Sequence, residues 1–244
     1  MTLRPGLLIY AGTAGTTVRH AHHSVQVFFA RDGFVLADAT GTRLACRAVV
    51  IPPDVPHEVV QGVQDALMVH LDPESVRGRE LSHPYDTVEA WARAGAALGR
   101  PEDFLSLLPP ERDLEVRHPA VASTLRSLPD RLDGPIRLPD LARAAGLSES
   151  RLAHLFREEV GLPVRPYVQW LRLQRAADLL SEGASATDAA HGAGFADGAH
   201  FSRICKRMFG ISPSEFEQVR SSVSRPAARG WGHGSDAAPR THRL

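Results

Sequence analysis

The pattern of hydrophobic and polar positions changes character near residue 83. Before this point, short runs of branched and aromatic residues alternate with turn-forming residues. Such runs, roughly four to eight residues long, are typical of β-strands. Turns are predicted at Asp32-Gly33, Thr40-Gly41 and Pro52-Pro53-Asp54. Residues 1–82 are therefore predicted to form a small β-domain, with strands in LLIYAG, SVQVFFA, GFVLADATGT, AVVIPPDVP and DALMVHLD.

After residue 83 the spacing of apolar residues becomes helical. The segment from Thr87 to Leu98 places four residues on one stripe, namely Val88, Trp91, Gly95 and Leu98. Short helices are also predicted in PEDFLSLLPP, which ends at prolines, and in PAVASTLRSL, which begins with one. We interpret the chain as an α+β protein of two domains. Its predicted parts are a β-domain at 1–82, a helical linker at 83–130, an all-α domain at 131–220 and a disordered tail at 221–244.

The all-α domain contains one pattern twice. The first copy reads LARAAGLSESRLAHLFREEVGLPVRPYV, and the second reads DAAHGAGFADGAHFSRICKRMFGISPSEF. Gly146-Leu147 corresponds to Gly194-Phe195, and Val160-Gly161-Leu162 corresponds to Phe209-Gly210-Ile211. A repeated pattern indicates a repeated structural unit.

Each copy has the residue order of a helix-turn-helix unit. A short helix ends at a glycine that can adopt the left-handed conformation, and a serine or aspartate then caps the next helix. In a helix-turn-helix protein this second helix enters the DNA major groove. The features are short helices at 139–145 and 186–193, Gly146 and Gly194, the caps Ser148 and Asp197, and second helices at about 148–160 and 197–209. A capping box, Ser212-Pro213-Ser214-Glu215, predicts a final helix.

Each second helix buries one apolar stripe and leaves its opposite face free. Arginine pairs with guanine through two hydrogen bonds, and small residues allow close approach to the bases. His154 and Arg203 occupy the same position in the two copies and are our candidates for base recognition. Arg157, Lys206 and Arg207 lie later on their helices and are candidates for phosphate contacts. The free faces hold Ser150, Arg151, Ala153, His154 and Arg157 in the first unit, and Gly198, Ala199, His200, Ser202, Arg203, Lys206 and Arg207 in the second.

One helix, from about Pro163 to Ser181, is predicted to join the two units. About 19 residues at ~1.5 Å each span roughly 28 Å. With the flanking turns, the two second helices can lie about 34 Å apart, which is one turn of DNA. The alternative is that the exposed arginines are ordinary solvent-facing charges. Two copies with matched caps and a linker of this length favour DNA binding.

Composition narrows the classes of protein. The chain has 43% hydrophobic and 23% charged residues, as soluble globular proteins do. Its formal net charge is zero, so DNA binding must rest on local geometry. Cys46 and Cys205 are far apart, which predicts reduced thiols rather than a disulfide framework. No segment resembles a signal peptide or the ~20 apolar residues of a membrane span, so we expect a cytoplasmic protein.

The repeated pattern also carries a resemblance. The run GFADGAHFSRICKRMFGISPSEF resembles the signature of the AraC/XylS family of transcription regulators, and the first copy resembles that family's first helix-turn-helix. The resemblance covers about residues 136–220. Cys205 departs from it, because the family usually has phenylalanine there. The resemblance implies sequence-specific binding to double-stranded promoter DNA under the control of an N-terminal domain.

The β-domain carries a second, shorter resemblance. The spacing His20-x-His22-x3-Gln26-x6-Gly33, followed by Pro52-Pro53-Asp54-Val55-Pro56-His57, resembles the two motifs of the cupin β-barrel over about residues 7–72. Many AraC-type regulators have such a sensor domain, which implies a small-molecule effector inside the barrel. His23 should point to the opposite side of the strand from His22. The candidate effector-binding residues are Tyr10, His20, His22, Gln26, Phe28 and His57.

Two alternatives stand for the histidines. Three converging imidazoles suit a divalent metal such as zinc, nickel, copper or iron. Gln26 stands where cupins often have a carboxylate ligand, and it is a poor metal ligand. In the other alternative, His20, His22 and His57 line a polar pocket without metal, and no cofactor is required.

The function expected from these features is a ligand-responsive transcription regulator rather than an enzyme. Its partners would be promoter DNA, a small-molecule effector and RNA polymerase. The helices of the linker either pair with a second subunit in a homodimer or cover the barrel. The competing hypothesis is a metal-dependent cupin enzyme with an accessory helical domain.

Overall fold

In the part of the chain that the structure describes, six antiparallel strands form one N-terminal sheet. The structure is a computed structural model that describes residues 1–82, 87–108 and 116–215. The strands are β1 (Thr2–Arg4), β2 (Leu7–Ala14), β3 (Val25–Ala37), β4 (Arg43–Ile51), β5 (Glu58–Gln61) and β6 (Val63–Leu71). Their order is β1-β2-β6-β3-β4, and β5 pairs with the second half of β3. Among these strands β1 and β4 are the two ends of the path, so the expected barrel takes the form of a bent sheet.

Strand β3 is continuous where two strands were predicted, and the turn expected at Asp32-Gly33 is wrong. Its register with β4 shifts between Phe29 and Phe34, and Gly33 has φ +81°. The extra residues form a bulge that bends the strand. Because of this bend, β3 pairs with β6 along its first half and with β5 along its second. The turns at Thr40-Gly41 and Pro52-Pro53-Asp54 are confirmed.

Helix α2 (Val88–Ala97) packs along the edge strand β4. Its N-cap Thr87 and its buried residues Val88, Trp91 and Gly95 confirm the predicted stripe. A Cβ atom at position 95 would lie 2.3 Å from the backbone nitrogen of Val49, so only glycine allows the helix this close to the strand. The stripe is therefore buried within the chain and covers the sheet, rather than presenting itself to a second subunit. The helices beside it are α1 (Val76–Leu81) and α3 (Pro101–Ser106).

The C-terminal domain consists of helices at the predicted places. Pro163 caps the joining helix, whose 18 residues span about 27 Å. None of the helices in the described ranges is long and apolar enough to cross a membrane. Residues 216–244, which include the predicted disordered tail, lie outside the described residues, as do 83–86 and 109–115 of the predicted linker. The helices are α4 (Pro119–Ser127), α5 (Leu138–Ala144), α6 (Glu149–Val160), α7 (Val164–Ser181), α8 (Ala186–Gly192) and α9 (Gly198–Phe209).

A shared apolar core joins the second helix-turn-helix unit to the sheet. Leu8 of β2 belongs to the same buried cluster as Trp170 of α7 and Phe209 of α9. The Trp170 indole Nε1 donates a 2.7 Å hydrogen bond to the Asp72 carboxylate, at the end of β6. Both side chains are buried, so this bond is shielded from water. We call this contact region between the sheet and the helices α7 and α9 the seam.

Trp170→Phe should destabilise the chain by about 1 to 2 kcal/mol, because it leaves the buried Asp72 carboxylate without its indole donor. The free energy of unfolding, measured by urea denaturation, checks this. Asp72→Asn is the partner change in a double-mutant cycle. In the Trp170→Phe background, Asp72→Asn should lower the free energy of unfolding by less than it does in the wild type. Strictly additive losses would contradict a direct contribution from this hydrogen bond.

Candidate DNA-recognition surface and histidine cluster

The two helix-turn-helix corners have the same backbone structure. Gly146 and Gly194 have φ +67° and +80°, the left-handed conformation predicted for them. In both corners the next residue donates its N–H to a carbonyl five residues back, from Leu147 to Ala142 and from Phe195 to Ala190. This bonding ends the first helix and turns the chain into the second.

Both second helices begin and end as predicted. The Ser148 hydroxyl accepts from the N–H of Arg151, and the Asp197 carboxylate accepts from the N–H of His200. Gly161 and Gly210 end the helices with φ +79° and +75°. The predicted capping box is also present, since the Ser212 N–H donates to the Glu215 carboxylate at 2.7 Å. We call α6 and α9 the recognition helices.

All of the predicted DNA-facing residues lie outside the buried stripes of the recognition helices. The stripes consist of Leu152, Leu155 and Phe156 in α6, and of Phe201, Cys205, Met208 and Phe209 in α9. His200 is partly withdrawn, because its ring packs edge-on against Phe195 at 5.6 Å. Ser150, Arg151, His154, Arg157, Ala199, Arg203, Lys206 and Arg207 are exposed, and Ala153, Gly198, His200 and Ser202 are half-buried. Most residues of both faces are therefore exposed to solvent.

Cys205 lies in the core and not on the recognition face, as predicted. It is 2% exposed, and burial raises the pKa of its thiol to about 12. A thiol with such a pKa stays protonated and unreactive near neutral pH.

A cluster of imidazoles lies at the end of the sheet next to α9. His20 and His57 face each other across an isolated antiparallel bridge, and their ring centroids are 4.3 Å apart. The ring of His22 is 4.8 Å from that of His57. One ligand nitrogen from each of these three residues lies within 4.8 Å of the others. His20, His22 and His57, which we call the histidine triad, therefore converge as the sequence predicted.

Backbone carbonyls hold each ring of the triad in one tautomer. The Nδ1 atoms of His20, His22 and His57 each lie 2.9 Å from a carbonyl oxygen, those of Val18, Ser24 and Val55 respectively. Since a carbonyl can only accept, each Nδ1 carries a proton. Burial lowers the pKa of His22 and lowers that of His57 well below its usual value, so both rings are neutral at neutral pH.

Gln26 contacts the triad directly. Its amide oxygen lies 3.0 Å from the Nε2 atom of His22, and its amide nitrogen donates to the Met68 sulfur at 3.5 Å. Tyr10 and Phe28 pair with Met68 across the sheet, so they lie on the same face as Gln26 but one row farther from the triad. Both are buried, and the Phe28 ring stacks on Phe34 at 3.8 Å. His23 points away as predicted, to Asp54 at 2.9 Å.

Sequence reasoning missed His70 and Ser24. His70 is 5% exposed, and its ring lies 5.1 Å from that of His22. The Ser24 hydroxyl donates to the carbonyl of Met208 in α9, so it accepts from Nδ1 of His70 at 2.8 Å. Burial holds the pKa of His70 well below its usual value. The alternation in DALMVHLD puts His70 on the same face as Met68, so the sequence could have predicted this face. The residues that surround His70 depend on strand register, which the sequence alone does not reveal.

The seam brings the triad against the end of the second recognition helix. The His23 N–H donates to the carbonyl of Arg207 at 2.5 Å. A Cβ at position 210 would lie 2.6 Å from Cδ2 of His20, so Gly210 packs closely on that ring. The Phe209 ring lies 5.6 Å from that of His70. The end of α9 thus covers the triad on this side.

Comparisons with known proteins agree with the helical geometry. A family model described as a helix-turn-helix domain matches residues 141–218. The HTH-type transcriptional regulator GlxA of Rhizobium meliloti is 32% identical over 106 residues, covering 43% of this chain and 33% of that protein. The arabinose operon regulatory protein of Salmonella typhimurium is 35% identical over 108 residues, covering 42% of this chain and 38% of that protein. The chain thus spans little more than a third of these relatives' length.

A solved structure of unsaturated fatty acid bound ToxT from Vibrio cholerae aligns with 90% of this chain and 97% of that chain, at a TM-score of 0.44 and 12% identity. The family model covers both matched corners, and the relatives it agrees with are transcription regulators. Residues 141–218 are therefore a helix-turn-helix domain of the kind found in AraC/XylS transcription regulators.

Proposed function

We propose that this protein is a sequence-specific transcription regulator that binds promoter DNA with both recognition helices. The observation that carries the proposal is the pair of matched units, each with a capped second helix whose polar face is turned outward. A joining helix of about 27 Å suits two helices in successive major grooves. His154 and Arg203 are the proposed base readers, and Arg157, Lys206 and Arg207 the proposed phosphate contacts.

The sheet is the proposed effector-binding domain. Tyr10, Gln26 and Phe28 share one face with the triad, which gives that face both apolar and polar partners for a small ligand. The end of α9 packs against the triad, so a ligand bound at the triad would lie next to the second recognition helix. This supports a regulatory role for the site.

Selection of bound sequences from random double-stranded DNA by the full-length chain tests the proposal. We expect enriched sites with two conserved blocks about 10 base pairs apart, one for each recognition helix. Fluorescence anisotropy then gives the affinity for the selected operator. Equal affinity for the operator and for scrambled DNA would contradict the proposed function.

Lys206→Ala should weaken binding to operator and scrambled DNA alike. Loss of one phosphate contact should also reduce the slope of log affinity against log salt by about 0.9. Arg93→Ala is the matched control, because it removes one exposed positive charge from α2, outside the helix-turn-helix units. A loss confined to the operator would mean that Lys206 reads bases.

Lys206 is the only lysine of the chain, so an amine-reactive reagent labels it and otherwise only the N-terminal amine. Operator DNA should protect Lys206 from labelling, as measured by mass spectrometry. Unchanged labelling in the complex would remove Lys206 from the interface.

A further inference from the structure

We propose that the β-domain, residues 1–82, sets the distance and angle between the two recognition helices and so decides which spacing of the two DNA blocks the protein accepts. The inference rests on the proposed function and assigns a positioning role to residues outside the recognition faces. The observation that carries it is that the β-domain contacts the C-terminal ends of both α6 and α9, at the corresponding glycines Gly161 and Gly210.

The end of the first recognition helix lies against the start of the sheet. Leu162, which follows the terminal Gly161, is 3% exposed and belongs to the same buried cluster as Leu8 of β2. A Cβ at position 6, between β1 and β2, would lie 2.9 Å from Leu162 Cδ1, so Gly6 leaves room for this side chain. A Cβ at position 161 would lie 3.8 Å from Cγ2 of Val76 in α1. The residues that end α6 are therefore packed on the β-domain.

The end of the second recognition helix is bound by hydrogen bonds from the sheet. The last carbonyls of a helix have no partner within it. Here the His23 N–H donates to the carbonyl of Arg207, and the Ser24 hydroxyl donates to that of Met208, each at 2.5 Å. His70 donates to the same hydroxyl at 2.8 Å, which leaves the hydroxyl proton for Met208. The sheet thus caps the end of α9.

The direction of α9 is set at both of its ends. Near its start, the backbone oxygen of Leu132 lies close over the corner at Gly194. Leu132 belongs to the core of the first unit, so this contact links the two units on that side. At the other end, the sheet links Met208 to the residues that follow α6. A helix held at one end can pivot, whereas a helix held at both ends keeps its direction.

A third contact lies between these two. Trp170 of α7 donates to the Asp72 carboxylate at the end of β6, at 2.7 Å. The β-domain therefore meets the helical domain after α6, along α7 and at the end of α9. Together with α7 itself, these contacts form a closed ring. Changing the angle between the recognition helices requires that at least one contact of the ring is broken.

The consequence for DNA follows from the geometry of the double helix. One turn of about 10–10.5 base pairs covers about 34–36 Å, so one additional base pair moves the second block by about 3.4 Å and rotates it by about 34°. Recognition helices held in a closed ring cannot follow this change without losing contacts. If the ring is open, the second unit can adjust, although it then loses conformational freedom when it binds.

Operators with one base pair added or removed between the two blocks test the inference. Fluorescence anisotropy gives, for each protein, the ratio of its affinity for the selected operator to its affinity for the changed one. In the wild type this ratio should be about 5 to 150, the loss expected for one base reader, because α9 no longer meets its bases. In the double variant Ser24→Ala/Trp170→Phe the ratio should be lower by at least about twofold.

Ser106→Ala is the matched control. Its hydroxyl donates to a carbonyl within its own helix, α3, so its ratio should equal that of the wild type. Both affinities in a ratio come from the same protein, so a smaller folded fraction cancels. Ser24→Ala alone keeps the Trp170 bond and should lower the ratio in the same direction, which serves as the test if circular dichroism shows that the double variant does not fold.

Three results would overturn the inference and leave the proposed function intact, provided that the wild type still prefers the operator to scrambled DNA. They are a wild type that binds the changed spacing as tightly as the original, an unchanged ratio in the folded variants, and an equal fall of the ratio in Ser106→Ala. Equal affinity of the wild type for operator and scrambled DNA would instead contradict the proposed function.

Discussion

Replacing Gly194 by alanine should destabilise the second helix-turn-helix unit by about 3 to 4 kcal/mol. The residue has φ +80°, which already disfavours a side chain. In addition, a Cβ there would lie 1.6 Å from the backbone oxygen of Leu132. This oxygen belongs to the chain between α4 and α5, which passes over the corner and accepts from Arg172 Nε at 3.2 Å. Alanine would push this segment away and break that bond.

Gly146→Ala is the matched control, because the first unit has the same corner without the close neighbour. Gly146 has φ +67°, and a Cβ there would meet nothing within 4 Å. Its alanine variant should therefore lose only the conformational part, about 1 kcal/mol. Urea denaturation gives both free energies of unfolding. Equal losses in the two variants would show that the contact with Leu132 adds nothing to the cost.

Changing one proposed base reader in each unit should have the largest effect on DNA binding. Arg203→Ala and His154→Ala should each weaken operator binding by about 1–3 kcal/mol, or about 5- to 150-fold. The two side chains lie on different helices and share no contact partner that the structure records. If both recognition helices bind the same DNA at once, the double variant should lose about the sum, 2–6 kcal/mol.

Anisotropy titrations of the two single variants, the double variant and Arg93→Ala measure this. Scrambled DNA separates base reading from charge, since loss of a base contact should leave nonspecific binding nearly unchanged. A double variant no weaker than Arg203→Ala alone would mean that α9 reads the operator without α6. An unchanged operator affinity in Arg203→Ala would remove this side chain from base recognition.

The recognition helices were predicted closely because the signals for them are local. Apolar residues at helical spacing set which face is buried, and the caps Ser148 and Asp197 lie within three residues of the N–H groups that they bind. Gly161 and Gly210 end the same helices through their own backbone conformation. The buried face, the N-caps and the C-terminal glycines each depend on a few consecutive residues, so they can be recognised without knowledge of the rest of the fold.

The prediction for β3 failed because its turn signal is local, whereas the structure of the strand depends on distant partners. Asp32-Gly33 is a turn signal, and glycine at positive φ serves a hairpin turn and a β-bulge equally well. Which of the two forms depends on the strands that pair with β3 on either side, β4 along one edge and β6 and β5 along the other. That choice is made by pairing between distant segments.

The sequence predicted three histidines of the cluster and missed His70 and Ser24. The spacing of His20 and His22, together with His57 after the proline turn, placed three rings on one side of the sheet. His70 and Ser24 joined them only through strand register and through a hydrogen bond to Met208, 184 residues away along the chain. Alternation within a strand shows which face a side chain occupies, but not what covers that face.

The chain thus carries in its local pattern the two helix-turn-helix units, their caps and their outward faces, because helix periodicity and capping involve neighbouring residues. The seam between sheet and helices follows no such pattern. It depends on Trp170 reaching Asp72, on Gly210 lying against His20, and on the serine that links β3 to α9. Such contacts form only when two separately folded surfaces pack together, so their shapes and register decide them.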